Sequence, residues 1–240
     1  MTDDRTKPVL PGTAPTDYER YLRTEELLSL QKTREEVVHR DEHLFQTVHQ
    51  SSELWLKLAC LEIEEAAALL TADGVASATR LLRRAAECMS LITAQLHMLD
   101  HLSPVDYTVV RTALGHGAGF DSPGFRQVHR VSPPLGQAFD ALLARRGVTL
   151  QDVYTRGYEL EELYQLAEQL ITWDERVILW RFHHVKVVER IIGGHVMGTQ
   201  GTPVEVLGKR IDVRFFPQLW TVRDEITKQS PLGADGHSNR

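Results

Sequence analysis

The chain has 240 residues, of which 42% are hydrophobic and 25% are charged, a composition typical of one globular domain with a substantial core. Its net charge of -6 argues against a nucleic-acid partner, because binding to a phosphate backbone requires clustered lysines and arginines. No segment approaches the roughly 18 consecutive apolar residues that a membrane-spanning helix requires, and the polar N-terminus is unlike a signal peptide. We therefore expect a cytoplasmic protein that binds a small molecule and no membrane.

An arm and an amphipathic helix are predicted at the start of the chain. Residues 1–15 contain three of the ten prolines and little that could be buried, which predicts a flexible arm. Thr16 suits the N-cap of the helix that follows, because its hydroxyl can accept a hydrogen bond from the first turn. Apolar side chains then recur at spacings of three to four, namely Tyr18, Tyr21, Leu22 and Leu28.

The middle of the chain predicts three helices and a structured loop. Apolar residues recur with a helical period over residues 41–70, Gly74 interrupts the pattern, and a helix over about 77–102 follows. Pro104 opens a short helix to about Leu114. The next segment, GHGAGFDSPGF, is too rich in glycine for a helix and predicts a structured loop of the kind that often carries function.

The last part of the chain predicts one long helix and a short final one. After the two prolines at 133 and 134 we expect a helix over about 135–145, a connector, and a nearly uninterrupted helical pattern from about Tyr158 to Ile192. Pro217 suits the first turn of a closing helix. Strand-like alternation is scarce, so the predicted fold class is all-α. The expected divisions are an arm (1–15), a helical domain (16–229) and a polar tail (230–240).

Few residues offer a metal site made by protein side chains alone, or a phosphate-binding loop. Cys60 and Cys88 lie in apolar helical patterns without CxxC spacing, and we expect buried free thiols. A di-iron bundle needs a Glu-x-x-His motif from each of two helices, and only Glu36 with His39 forms one here. The segment GHGAGF lacks the full GxGxxG pattern, and GTQGTP lacks the lysine of a P-loop.

Two adjacent histidines lie near the end of the predicted long helix. His184 shares a helical face with apolar residues such as Trp180 and Ile191, whereas His183 lies toward a charged rim. A buried imidazole needs a partner, since an unpaired polar atom costs about 1 to 3 kcal/mol. His184 is therefore either a core histidine satisfied by hydrogen bonds or a ligand to a metal or cofactor. A single imidazole suits haem, whose macrocycle supplies the other four nitrogens.

Two residue pairs with a spacing of four could contact a ligand. Phe45 and His49 are either a core phenylalanine beside a rim histidine, or an aromatic wall and a hydrogen-bond partner for a flat heteroaromatic ligand. Tyr107 and Arg111 are either solvated surface residues or a carboxylate site, because a guanidinium can bind a carboxylate through two parallel hydrogen bonds.

The order of these segments resembles the tryptophan 2,3-dioxygenase family from about residue 16 to residue 226. The segments that carry the resemblance are DYERYL, FQTVHQSSELW, YTVVRTALGHGAGFDSPGFR, WRFHHVKVVERIIGG, GT and RFFPQLW. The resemblance implies an all-α enzyme that binds haem b. Such an enzyme inserts both atoms of O2 across the indole C2–C3 bond of L-tryptophan and produces N-formylkynurenine.

The resemblance also implies a role for each candidate residue. His184, in the pattern W-R-F-x-H-V, becomes the axial ligand of the haem iron, and Phe45 and His49 take the distal positions, with His49 near the indole N–H. The resemblance further implies that Tyr107 and Arg111 bind the substrate carboxylate and that Thr199 contacts the amino and carboxylate end of the substrate. Ala118 and Gly119 would line the pocket for oxygen and the indole. The resemblance also implies a homotetramer in which Tyr18, Tyr21 and Leu22 reach a neighbouring subunit's pocket.

Two loops depart from the family pattern. Ala118 stands where the family has a serine, which removes a hydroxyl expected beside the indole, and GTQGTP replaces a segment close to G-T-G-G-S-S-G. These departures leave two alternatives open. One is a haem-dependent monooxygenase or peroxygenase that acts on a modified tryptophan or another aromatic amino acid, and the other is a helical interaction protein without a cofactor.

Overall fold

The structure is a computed structural model that describes residues 7–198, 201 and 203–229. Over these residues it contains α-helices, two short 3-10 helices and an isolated bridge between Met197 and Pro203, so the all-α prediction is confirmed. None of the described helices is long and apolar enough to cross a membrane. The helices are α1 (Asp17–Leu22), α2 (Thr24–Leu28), α3 (Glu42–Thr71), α4 (Val75–Gln95), α5 (Pro104–Thr112), α6 (Pro123–Arg146), α7 (Leu150–Thr155), α8 (Glu161–Ile192), α9 (Glu205–Gly208) and α10 (Pro217–Gln229), with 3-10 helices at Leu96–His101 and Gly119–Asp121.

Four long helices form the main core. Helix α3 packs against α4 and α6, and α4 also packs against α8. Trp173 and Phe139 are among the largest fully buried side chains. The buried hydroxyl of Ser132 accepts a hydrogen bond from Trp173 Nε1 (3.0 Å) and donates one to the Val128 carbonyl (2.8 Å). The buried polar atoms of Ser132 and Trp173 are therefore paired, which avoids the cost of burying them unsatisfied, whereas Trp180 Nε1, which lies at the edge of this core, is buried without a partner among the described residues.

A smaller apolar cluster lies around the 3-10 helix Leu96–His101, which contacts both α3 and α8. Its buried members include Val48, Leu99 and Ile191, and Phe45 and Tyr107 pack against it. Because two candidate site residues rest on this cluster, it determines where they lie relative to the C-terminal half of α8.

Most predicted helix boundaries are confirmed, and the local signals explain them. Thr16 caps α1 and exchanges hydrogen bonds with Glu19, the arrangement called a capping box. Ser103 caps α5 by accepting a hydrogen bond from Asp106 N (3.1 Å). The single helix predicted after Thr16 is instead divided into α1 and α2, because Arg23 adopts a left-handed conformation with φ of 53°.

One predicted boundary is wrong. We expected a new helix after the prolines at 133 and 134, but α6 runs through both of them. A proline has no N–H to donate, so two carbonyl groups of the preceding turn lose their helical partner. Both prolines are exposed, where water can satisfy those carbonyls, and the buried Val131 and Leu135 keep the helix packed on either side.

Both cysteines are buried free thiols, as predicted. Burial raises the pKa of the Cys60 thiol to about 12, and it also raises the pKa of Cys88. Neither thiol is ionised at neutral pH, so both behave as small apolar side chains.

Asp174 of α8 forms hydrogen bonds with the segment RFFPQLW, whose first three residues precede α10 and whose last four begin it. This fully buried carboxylate accepts hydrogen bonds from Phe215 N (2.8 Å), Phe216 N (3.3 Å) and Trp220 Nε1 (3.0 Å). Three donors on one ionised acceptor offset the cost of burying its charge. The segment that precedes α10 is thereby held against the helix that carries His184.

Candidate functional site

The structure brings five of the predicted site residues into neighbouring positions at one end of the bundle. Phe45 and His49 lie on α3, Tyr107 on α5, and His184 on α8. Gly119 lies in the glycine-rich loop between α5 and α6, next to the His184 imidazole. The site is therefore made by three helices and a loop that are distant in sequence.

Three rings form a continuous aromatic surface on the α3 side. The ring of Phe45 stacks on that of His49 with centroids 4.0 Å apart and an angle of 28° between the planes. The same phenylalanine lies 6.0 Å from the Tyr107 ring. Offset stacks of this kind are favourable and rigid, so the surface can hold a flat heteroaromatic ligand.

The tautomer of His49 follows from its hydrogen bond. His49 Nδ1 lies 2.7 Å from the Phe45 carbonyl oxygen, and because a carbonyl only accepts, Nδ1 carries the proton. Although water reaches part of the ring, burial lowers the pKa of His49, while the Phe45 carbonyl and Glu53 raise it. The neutral ring leaves Nε2 as a hydrogen-bond acceptor, which suits the N–H of an indole.

Tyr107 and Arg111 occupy successive turns of α5, as their spacing predicts. Burial raises the pKa of Tyr107, and the positive charge of Arg111 opposes that rise. The spacing of four puts the two side chains on the same face of α5. Their positions allow both groups to donate to one carboxylate.

His184 lies in a stack of three rings. Its imidazole is 4.8 Å from Trp180 at an interplanar angle of 16°, and Trp180 lies 3.7 Å from Phe125 of α6. Although the residue is only partly buried, the surrounding protein desolvates the ring and lowers its pKa to about 4, with a smaller effect from His49. The imidazole is thus neutral at physiological pH, with a lone pair available for a metal.

Gly119 lies close to the His184 imidazole. A Cβ atom at this glycine would lie 3.8 Å from Nε2 and 3.9 Å from Cε1, within van der Waals contact of the ring. Within the part of the chain that the structure describes, no three His, Cys, Asp or Glu side chains cluster as metal ligands. A single imidazole without a hydrogen-bond partner among the described residues fits the donor requirement of haem, which needs only one or two protein ligands.

Of the remaining predicted residues, the three on α1 are exposed to solvent and are not gathered at this site. Tyr18, Tyr21 and Leu22 lie on α1, where they are 68%, 78% and 45% exposed. Thr199 lies outside the described residues. Ala118 precedes Gly119 in the loop, and its N–H donates to the Asp121 carboxylate (2.9 Å).

The sequence reasoning missed Glu53, which holds the loop against α3. Its carboxylate accepts hydrogen bonds from the Ser122 hydroxyl (2.5 Å) and from Gly124 N (2.9 Å). A Cβ atom at Gly124 would lie 2.7 Å from the Glu53 carboxylate and from Leu56, so only glycine permits this approach. Glu53 lies four residues after His49, and that spacing was the signal that could have identified it.

Phe125 was also missed, and its role depends on the same contacts. The Ser122 hydroxyl caps α6 by accepting from Phe125 N (3.2 Å), which places the phenylalanine ring on Trp180. Through Ser122, Glu53 therefore orders both the loop that faces His184 and the first turn of the helix behind it.

We predict that Glu53→Ala increases backbone amide hydrogen exchange across residues 115–124, because the loop loses its only described contacts with the α3 carboxylate. Glu53→Gln should retain part of the protection, since an amide can still accept from Gly124 N. Glu65→Ala, at an exposed position of the same helix, is the control. Equal exchange in Glu53→Ala and the parent protein would contradict this role.

Comparisons with known proteins agree with the site. Residues 6–137 and 135–226 match the sequence profile described as tryptophan 2,3-dioxygenase. A tryptophan 2,3-dioxygenase of Myxococcus xanthus is 32% identical over 267 positions, covering 90% of this chain and 91% of the relative. One from Caulobacter vibrioides is 33% identical over 260 positions, covering 87% of this chain and 98% of the relative. With the matched profile spanning both the Phe45 and the His184 sides of the site, the chain belongs to the tryptophan 2,3-dioxygenase family of oxidoreductases.

Proposed function

We propose that this protein cleaves the C2–C3 bond of the indole of L-tryptophan with O2 and produces N-formylkynurenine. The observation that carries the proposal is the neutral His184 imidazole, which lies beside Gly119 of the glycine-rich loop and forms no hydrogen bond within the described residues. Haem b bound there supplies the chemistry that the side chains lack, namely the binding and activation of O2. Both oxygen atoms enter the product, so the reaction needs no external reductant.

His184 would hold the haem iron, and its surroundings suit that role. The stack with Trp180 and Phe125 restricts rotation of the imidazole. Within the described residues the imidazole forms no hydrogen bond, so no protein donor competes for its nitrogen. A ligand that is already neutral and oriented loses little entropy on binding.

Phe45 and His49 would hold the indole ring. The Phe45 ring provides a flat apolar wall, and His49 Nε2 accepts a hydrogen bond from the indole N–H. We assign His49 to positioning rather than to proton removal, because an indole N–H is too weak an acid for an imidazole to deprotonate readily.

Tyr107 and Arg111 would bind the carboxylate of the amino acid and so determine which edge of the indole faces the oxygen. Charge-assisted hydrogen bonds of this kind are strong and directional. We assign Thr199 to the amino end of the substrate, on the family pattern. Ala118, beside Gly119, would line the pocket for the indole and oxygen with a methyl group where the family has a hydroxyl.

We further propose a homotetramer in which α1 completes the pocket of a neighbouring subunit. Tyr18, Tyr21 and Leu22 present apolar side chains to solvent on a helix fixed at its start by the Thr16 cap. Burial of such side chains at an interface would remove apolar area from water.

The first test is haem binding combined with product mass. The purified protein should show a Soret band that His184→Ala abolishes, whereas His183→Ala, one position along the same helix, should retain it. With a reductant to reach the ferrous state, L-tryptophan and O2, the product should gain the mass of two oxygen atoms. A gain of one oxygen would identify a monooxygenase, and a wild-type protein without a Soret band would identify a helical protein that binds no haem.

The role of His49 leads to a graded prediction. His49→Ala should lower kcat/KM for tryptophan by about tenfold, the effect of one lost hydrogen bond, while the Soret band stays. Thr47→Ala, at an exposed position of α3, should change neither. Complete loss of turnover with haem and substrate still bound would contradict a positioning role and would assign His49 to the chemistry itself.

The proposed subunit exchange can be tested by mixing two defective variants. Tyr21→Ala should have low activity because each pocket lacks the neighbour's side chain, and His184→Ala should have none. Co-expressed hybrids should recover activity, because the His184→Ala subunit supplies an intact Tyr21 to its partner. Hybrids no more active than Tyr21→Ala alone would show that α1 does not complete a neighbouring pocket.

A further inference from the structure

Helix α3 carries an apolar stripe on the face that points away from the core. Its inner face is fully buried at Leu56, Ile63 and Leu70. On the outer face four large apolar side chains stay exposed, namely Leu54 (53%), Trp55 (38%), Leu58 (39%) and Leu61 (54%). The outer face of a helix in a globular domain is normally polar, and a contiguous exposed apolar patch marks a surface that binds another molecule.

The spacing of the stripe is that of a contact between two helices. Leu54, Leu58 and Leu61 are separated by four and then three residues, the alternation with which apolar residues recur where two helices pack side by side. Trp55 lies at the edge of this seam. A second helix with the same spacing can therefore pack along α3 over these turns.

Opposite charges lie on one flank of the seam. Lys57 and Glu64 are both exposed, and because they are seven residues apart they lie on the same side of the helix. Neither side chain forms an ion pair within the part of the chain that the structure describes, although Glu64 accepts a hydrogen bond from the Gln127 amide (2.7 Å). The flank thus offers one cation and one anion to a partner.

We propose that a second copy of the chain packs antiparallel along this stripe, about a two-fold axis between Leu58 and Leu61. Each Leu58 then packs on Leu61 of the other copy, and each Lys57 lies opposite Glu64 of the other copy. A parallel pair would instead direct Lys57 toward Glu62, whose carboxylate is already bound by Arg84. Because the two-fold axis exchanges residues of opposite charge, the flank is complementary to itself, which favours a second copy over an unrelated partner.

This contact is separate from the proposed exchange of α1 and involves neither haem nor substrate. It rests on the proposed function only in that both require an oligomer. Because α3 also carries Phe45 and His49, the two-fold axis would connect the indole sides of two pockets through one pair of helices.

The test is a charge reversal on the full chain. Lys57→Glu alone and Glu64→Lys alone each place like charges opposite each other at both symmetric positions. Each variant should therefore raise the dissociation constant of the wild-type assembly into smaller species at least about tenfold. An equimolar mixture of the two variants should associate like the wild type, since both contacts between unlike copies then pair opposite charges. Analytical ultracentrifugation with one variant fluorescently labelled measures all three.

The control has the same change in net charge at a remote place. Lys228→Glu, at an exposed position of α10, should associate as the wild type does. Single variants that associate like the wild type, or a mixture no better associated than either variant alone, would overturn the inference and leave the proposed reaction intact. A monomeric wild type would overturn both this contact and the proposed homotetramer. An oligomeric wild type without a Soret band would overturn the proposed reaction, while the charge reversal would still decide this contact.

Discussion

The site depends on one neutral imidazole kept in a desolvated position. The environment of His184 disfavours the charged form, so its pKa falls to about 4 and its lone pair is free. The stack of Phe125, Trp180 and His184 keeps the ring oriented. The proposed binding of haem would depend on this orientation.

The opposite side of the site belongs to α3, and Glu53 connects the two sides. Through Ser122 and Gly124 its carboxylate holds the start of α6 and the end of the glycine-rich loop. Phe125 then places its ring behind Trp180. The close approach of α3 and α6 at Gly124 thereby influences both the loop that faces His184 and the stack behind it. One carboxylate of α3 thus orders two segments that lie beside His184.

Patterns repeated within one element were predictable, and contacts between elements were not. Helical spacing distinguished His184 from His183 and paired Phe45 with His49, because those relations need only the geometry of an isolated helix. The prolines at 133 and 134 misled the prediction because burial of Val131 and Leu135 outweighed the missing hydrogen bonds. The two stretches that match the family profile overlap at 135–137. These residues lie within α6, which is continuous there.

By itself the sequence determined the all-α class, most helix boundaries and the family, since each of these follows from local periodicity, capping or the order of short motifs. Only the tertiary structure decided that Glu53 bonds to residues 69 and 71 positions away, and that Gly119 lies against His184. The physical reason is that these relations arise from packing between helices, and packing brings together residues whose separation along the chain carries no periodic signal.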